Sequence, residues 1–272
     1  MHALDQAIHL TPVAEDTGRH ISTGATSAAY ANMVGPFGGI TGATLLNAAL
    51  QHPQRQGDPI ALTVNFAGPV ADGPFQVTAR PVRTNRSTQH WSMELTQDAG
   101  TAATATAVFA QRRETWSAPE AQAPLDVPPA ASLQPSPSLG RPTWVQRYDM
   151  RFVEGDLPKG FDAQEQAQSG SVLWIRDEPP RPLDFASLAA LCDSFFPRIF
   201  IRRRALTPIG TVSLTTYFHA DEAMLRRQGD RHVLGVARAL RFHNGYYDQS
   251  AELWSDDGHL LASSHQMVYF RE

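Results

Sequence analysis

Cysteine is almost absent from this chain: Cys192 is the only one in 272 residues, so no intrachain disulfide can form and nothing marks an oxidising compartment. Long apolar runs are missing too. No stretch approaches the ~18 residues of a membrane span, and the start, Met-His-Ala-Leu-Asp-Gln, has no charged region followed by an apolar one. These two absences point to a cytoplasmic protein with no membrane partner. A basic excess is lacking as well, since the formal net charge is -4, and this argues against a surface that tracks nucleic-acid phosphates. The histidines His219, His232, His243, His259 and His265 show no paired ligand spacing, so no metal is expected, and no cofactor is called for. Ser263 and Ser264 lie outside any Gly-x-Ser-x-Gly elbow, which removes the usual serine hydrolase.

What is present reads as two globular units. Apolar residues make up 42% and charged residues 18%, as in an ordinary soluble domain. After a weak strand over Arg19–Tyr30, Pro36 and the paired Gly38 and Gly39 break the chain, and an Ala/Leu-rich helix runs to Leu50 before His52-Pro53. Four strand-like runs follow at Ile60–Phe66, Phe75–Arg83, His90–Thr96 and Ala103–Phe109. Pro81 inside the second predicts an edge or a bulge there. Residues 117–142 carry seven prolines among Ala, Ser and Gln, and read as an extended linker between an N-terminal unit (1–116) and a C-terminal unit (143–272).

Beyond the linker the order returns. Strands are expected at Arg147–Val153 and Ser171–Arg176, then a helix, then strands at Thr211–Phe218, His232–His243, Tyr246–Trp254 and His259–Phe270. Two short matches recur in the same order: Leu62-Thr63-x-x-Phe66 with Leu214-Thr215-x-x-Phe218, and Glu94-Leu95-x-x-Asp98-x-Gly100 with Glu252-Leu253-x-x-Asp256-x-Gly258. A helix covered by antiparallel strands, present twice, is an α+β duplication.

The second helix holds the anomaly. From Phe185 to Phe196 every residue is apolar or small except Asp193, so the helix should be buried on nearly all sides and carry one carboxylate. A bare buried charge must find partners or change its pKa. Two readings stay open on this segment: a tuned catalytic acid, or a structural acid paired with an arginine or with backbone amides. Aligning the halves sets Asn47 opposite Asp193, Pro59 opposite Thr211 and Val108 or a close neighbour opposite Gln266, so the polar trio belongs to one half only.

Phe37-Gly38-Gly39, Asn65-Phe-Ala-Gly-Pro69, Asn85-Arg86-Ser87, Cys192-Asp193-Ser194, Thr211 to His219 and Ser263 to Arg271 together resemble the acyl-CoA thioesterase II family. That resemblance implies a double hotdog, with two antiparallel sheets each wrapped around a central helix. It also implies an acyl-CoA substrate and a water held by Asp193, Thr211 and Gln266. The helix start Phe37, Gly38 and Gly39 and the bulky Phe196 would meet the substrate, and exposed sheet edges are compatible with a homo-oligomer. Hydrolysis through an Asp193 anhydride, a non-catalytic acyl-binding protein and a hotdog hydratase or dehydratase are the alternatives. The last lacks the histidine that such enzymes carry a few residues after their Asp. Arg202-Arg203-Arg204 could meet phosphates, although an exposed basic run is more often solvated, and Cys192 reads as a small buried hydrophobe.

Overall fold

The structure, a computed structural model, describes residues 1–16 and 18–271. Its first half contains α1 (Ala3–Ala7), β1 (Thr11–Asp16), β2 (Arg19–Ala25), α2 (Gly38–Leu50), β3 (Asp58–Phe66), β4 (Pro74–Thr84), β5 (Thr88–Gln97) and β6 (Gly100–Ala110). Its second half contains β7 (Tyr148–Glu154), β8 (Ser171–Asp177), α3 (Phe185–Leu191), α4 (Arg198–Arg203), β9 (Ile209–Phe218), α5 (Glu222–Gln228), β10 (Val233–Arg238), β11 (Phe242–His243), β12 (Tyr246–Trp254) and β13 (Leu260–Phe270). This is the α+β double hotdog, but its two sheets are not separate. They join edge to edge in one antiparallel sheet of order β1-β2-β4-β5-β6-β3-β9-β13-β12-β10-β8-β7, with β11 added on β12. No helix is long and apolar enough to cross a membrane among the described residues.

The seam is the pairing of β3 with β9. Leu62 and Val64 point inward and lie opposite the inward Thr216 and Leu214, while Thr63 and Thr215 sit opposite each other on the other face with their hydroxyls 3.0 Å apart. Thr63 and Thr215 are also the same position of the repeated Leu-Thr-x-x-Phe. A residue paired with its own counterpart marks where a two-fold relating the halves crosses the sheet. The registers agree with this on either side: Glu94 pairs with Thr104 as Glu252 pairs with Ser263. Leu62 pairs with Ala107 as Leu214 pairs with Gln266, so the counterpart of Gln266 is Ala107, one residue from Val108.

Both halves also carry the same bulge. The register slips between Pro59 and Ala61 on β3 and between Thr211 and Ser213 on β9, leaving Ile60 and Val212 as the extra residues. An extra residue inverts the side-chain alternation beyond it. Val212 is accordingly turned outward, 38% exposed, where strict alternation would have buried it. A third slip, between Pro81 and Arg83, lies at the proline expected to disturb β4.

Helices α2 and α3 pack against each other inside the sheet, and α2 is buried along nearly its whole length. The expected helix from Phe185 to Phe196 is shorter than that. It stops at Leu191, and Asp193 lies in the turn beyond its cap. The cause is local: the amides of Asp193 and Ser194 close tight turns onto Ala190 and Leu191, the Ser194 hydroxyl donates to the Leu191 carbonyl at 2.7 Å, and Ser264 donates to that of Cys192. With those terminal carbonyls taken and Pro197 unable to donate, the helix ends and α4 begins afresh after Pro197. The long strand expected over His232–His243 is likewise broken into β10 and β11.

One aromatic holds the entry of the second half onto α2. The Trp144 ring stacks on Phe37, the cap of α2, with centroids 4.2 Å apart, and meets Tyr148 edge-on. Trp144→Ala would leave a cavity between linker and helix, and its expected cost is ~3–5 kcal/mol, read as a lower urea midpoint with unchanged slope.

Candidate active site

Three elements converge on Asp193. From β13, Gln266 Nε2 donates to Asp193 Oδ1 at 3.2 Å, and Gln266 Oε1 accepts from the Thr211 hydroxyl of β9 at 3.2 Å. The amide orientation follows from chemistry. An ionised carboxylate only accepts, so the NH2 end of Gln266 must face Asp193, which leaves its oxygen for the hydroxyl. From the amino end of α2, the Gly39 amide donates to the Asp193 carboxylate. Asp193, Gln266, Thr211, Gly38 and Gly39, singled out from the sequence, thus share one place.

Each is there for a local reason. The β9 bulge turns Thr211 to the inner face beside Val268, two residues from Gln266 on the same side of β13. The early end of α3 frees Asp193 from the helix axis. Counted from the first helical residues, Gly38 and Phe185, Asp193 stands at the position of Leu46, next to Asn47; there α2 continues as helix. Two glycines then allow the helices to meet. A Cβ on Gly38 would lie 2.7 Å from Asp193 Oδ2, and one on Gly39 would lie 2.6 Å from the Ala190 carbonyl oxygen. Neither approach tolerates a side chain.

The carboxylate is caught between opposing effects. Burial among apolar side chains raises its pKa, and the Gln266 and Gly39 hydrogen bonds lower it; burial wins, and the value rises to about 7. Asp193 keeps partial exposure, so water can reach it, whereas Gln266 is only 6% exposed. Cys192 beside it is fully enclosed, and burial pushes its thiol up to about 12, which fits an inert small hydrophobe.

Phe37 and Phe196 belong to one aromatic cluster. Both are buried, and neither ring contacts the other; Trp144 lies between them, stacked on Phe37 and tilted against Phe196 at 6.1 Å. Phe196 also stacks on Phe152 and lies under the Arg141 guanidinium. The Tyr148 hydroxyl in this cluster is buried without a partner among the described residues. Trp144 and Tyr148 were not anticipated as neighbours of the site. Their signal was their position just past the linker, where a strand start gives no hint of a contact with the other half.

A second group stands behind Gln266. Gln249 lies directly opposite it on β12 and accepts from Nε of Arg198, a residue with no exposed surface. That guanidinium has no carboxylate partner among the described residues. It is held by the Phe196 and Ser169 carbonyls and the Ser171 hydroxyl, and burial lowers its pKa to about 10.

Two family models match the chain, the acyl-CoA thioesterase N-terminal domain over residues 27–110 and the acyl-CoA thioesterase C-terminal domain over residues 119–270. The chain belongs to the acyl-CoA thioesterase family. No protein of curated function matches this family member. Among solved structures, it is similar to a hot dog protein of unknown function from Alicyclobacillus acidocaldarius, with 48% identity, a TM-score of 0.91, and coverage of 100% of this chain and 99% of that one. An acyl-CoA thioesterase II from Mycobacterium marinum shares the fold at 17% identity and a TM-score of 0.76, covering 99% and 98%. So does the dehydratase domain of PpsC from Mycobacterium tuberculosis, at 12% identity and a TM-score of 0.59, covering 98% and 99%.

The raised pKa of Asp193 has a thermodynamic sign. Its folded value lies above the usual 3.8, so between about pH 4 and about pH 7 the folded state binds more protons than the unfolded chain, and this group's contribution to stability falls as pH rises. Asp193→Asn removes that dependence. Its stability relative to the parent should therefore climb from about pH 4 to about pH 7 and level off above, as measured by urea unfolding at each pH; a relative stability that stays flat or falls with rising pH would contradict the buried-carboxyl account.

Proposed function

We propose that this family member hydrolyses an acyl-CoA thioester to the free acid and coenzyme A, with Asp193 as general base toward water. The observation that carries the reading is the chain Thr211–Gln266–Asp193, three polar side chains from separate elements joined by two hydrogen bonds in apolar surroundings. Thioester hydrolysis needs a proton acceptor near neutrality and a means to orient water. A carboxylate of pKa about 7 is ionised in about half of the molecules at neutral pH and accepts a proton without a large penalty. The Thr211 hydroxyl spends its proton on Gln266 and keeps its lone pairs for a water hydrogen; the second hydrogen of that water goes to Asp193.

The reaction then balances without a cofactor. Water oxygen attacks the thioester carbon as its proton passes to Asp193, giving a tetrahedral oxyanion. Collapse breaks the C–S bond, and Asp193 returns the proton to the departing thiolate. The oxyanion faces the amino end of α2, where the Gly38 amide and the helix dipole favour negative charge, the Gly39, Ile40 and Thr41 amides being engaged by Asp193 and the Phe37 carbonyl. Gly38 keeps that end free of side chains, so that the carbonyl can approach it.

Two results test the assignment. Asp193→Asn keeps size and one acceptor oxygen but not basicity, and kcat should fall by roughly 10²–10⁴-fold with little change in fold, measured as free thiol released from a panel of straight, branched and aromatic acyl-CoAs. In the parent protein the rate should rise with pH through about 7, because the base must be ionised. Undiminished turnover in the Asn variant would remove Asp193 from the mechanism.

A further inference from the structure

A large cavity opens away from Asp193. It has a volume of about 800 Å³ and lies at the end of the second half, between the segment before β8, helix α4 and the β10–β11 turn. Four arginines line it, Arg202, Arg203, Arg238 and Arg241, against two glutamates, Glu154 and Glu165, in a chain whose overall charge is negative. One glutamate is already engaged, since Arg202 pairs with Glu165 at 2.6 Å. Arg204, the third member of the basic run, is not part of the lining; it is held bidentately by Asp162. Arg238 and Arg241 are exposed and have no ion-pair partner among the described residues.

The turn that presents Arg241 is fixed. Asp248 accepts from the amides of Leu240 and Arg241 at 3.0 and 2.9 Å, and the Ala239 amide donates to Ser169 at 3.3 Å. Apolar surface adjoins the cations, with Leu240, Phe242 and Phe270 on the same wall. Guanidinium groups beside an apolar wall suit a ligand carrying several phosphates and a flat ring, because the planar fork binds phosphate oxygens in pairs and stacks on aromatic rings. The cavity is also mechanically joined to the catalytic wall. Its rim residues Ser169 and Ser171 grip the buried Arg198, which in turn binds Gln249, the neighbour of Gln266 across the sheet.

We infer that this cavity receives the phosphate-bearing nucleotide end of coenzyme A. The inference rests on the thioesterase reading and gives it a second anchor point. Coenzyme A separates its phosphates from its sulfur by the pantetheine arm, so the two places need not adjoin.

The test uses the full chain and Arg238→Glu/Arg241→Glu, with Arg19→Glu/Arg80→Glu on β2 and β4 as a charge-matched control. Coenzyme A and adenosine 3′,5′-bisphosphate are titrated by calorimetry, and steady-state rates are taken with an acyl-CoA and with the same acyl group on N-acetylcysteamine, which lacks every phosphate. The cavity variant should raise the Kd of coenzyme A and the KM of acyl-CoA by about tenfold or more, while the control does not, and the bisphosphate should compete with acyl-CoA. Equal behaviour of the two double variants, an equal loss on the truncated thioester, or binding of inorganic phosphate as tight as that of coenzyme A would overturn it. If the glutamates prevent folding, as judged by thermal unfolding, Arg238→Gln/Arg241→Gln takes their place. Should the parent hydrolyse neither thioester, the hydrolase reading fails, and the calorimetry alone decides the cavity: coenzyme A binding that the variant loses sustains the inference, and binding that is absent or unaltered ends it.

Discussion

Taking one carboxylate out of water is the constraint around which the second half is built. Desolvating such a group costs several kcal/mol even after relaxation, and among the described residues the fold meets that cost with two donors, one side-chain amide and one backbone amide at the amino end of α2. An arginine in contact would have cancelled the charge and returned the pKa to its ordinary range. None is there. The cation Arg198 is held behind Gln249, which lies across the strand from Gln266, and is satisfied by neutral acceptors. The carboxyl is therefore left near its midpoint at neutral pH, which a structural ion pair would not allow.

The sequence showed more of the topology than of the contacts. Strand runs, the glycine-rich start of α2 and the repeated Leu-Thr-x-x-Phe were legible because each has a period or a turn residue behind it. The end of α3 was not. No Pro or Gly interrupts the segment before Pro197, and what stops the helix is the Ser194 hydroxyl on the Leu191 carbonyl and Ser264 from a strand 72 residues on. Helix α5 also went unread, although Asp221 accepts from the Met224 amide as an N-cap should. The bulge at Val212 is invisible to composition, since its effect is on direction rather than on polarity. The trio was found through resemblance; that the three side chains touch is a matter of register.

The same two-fold that places Asp193 at the amino end of α2 implies a counterpart where α2 ends and α3 begins. A cavity of about 450 Å³ lies there, lined by Asn47, Gln51, Asp184 and Phe185. Its chemistry is different. Asp184 caps its own helix and binds Arg181, which also holds Asp5, and Asn47 donates to the Ile8 carbonyl. Asn47, Arg181 and Asp184 are spent on fastening the amino-terminal segment to the core and on capping α3. One junction of the helix pair is thus a clasp, and the other keeps its carboxylate in reserve.

The bulge shared by β3 and β9 carries this asymmetry to its simplest form. Both strands bend at the same step, so both aim the residue before the bend at the interior; on β9 that residue is Thr211, on β3 it is the buried Pro59. Backbone shape is held in common, while a single side chain decides whether the bend presents a hydroxyl to a neighbouring strand or only fills space. A molecule made of two identical subunits could not draw that distinction, because any change would appear at both junctions at once. Fusing the copies in one chain releases each from the other, so that stability can be improved at one bend without touching the chemistry at its twin.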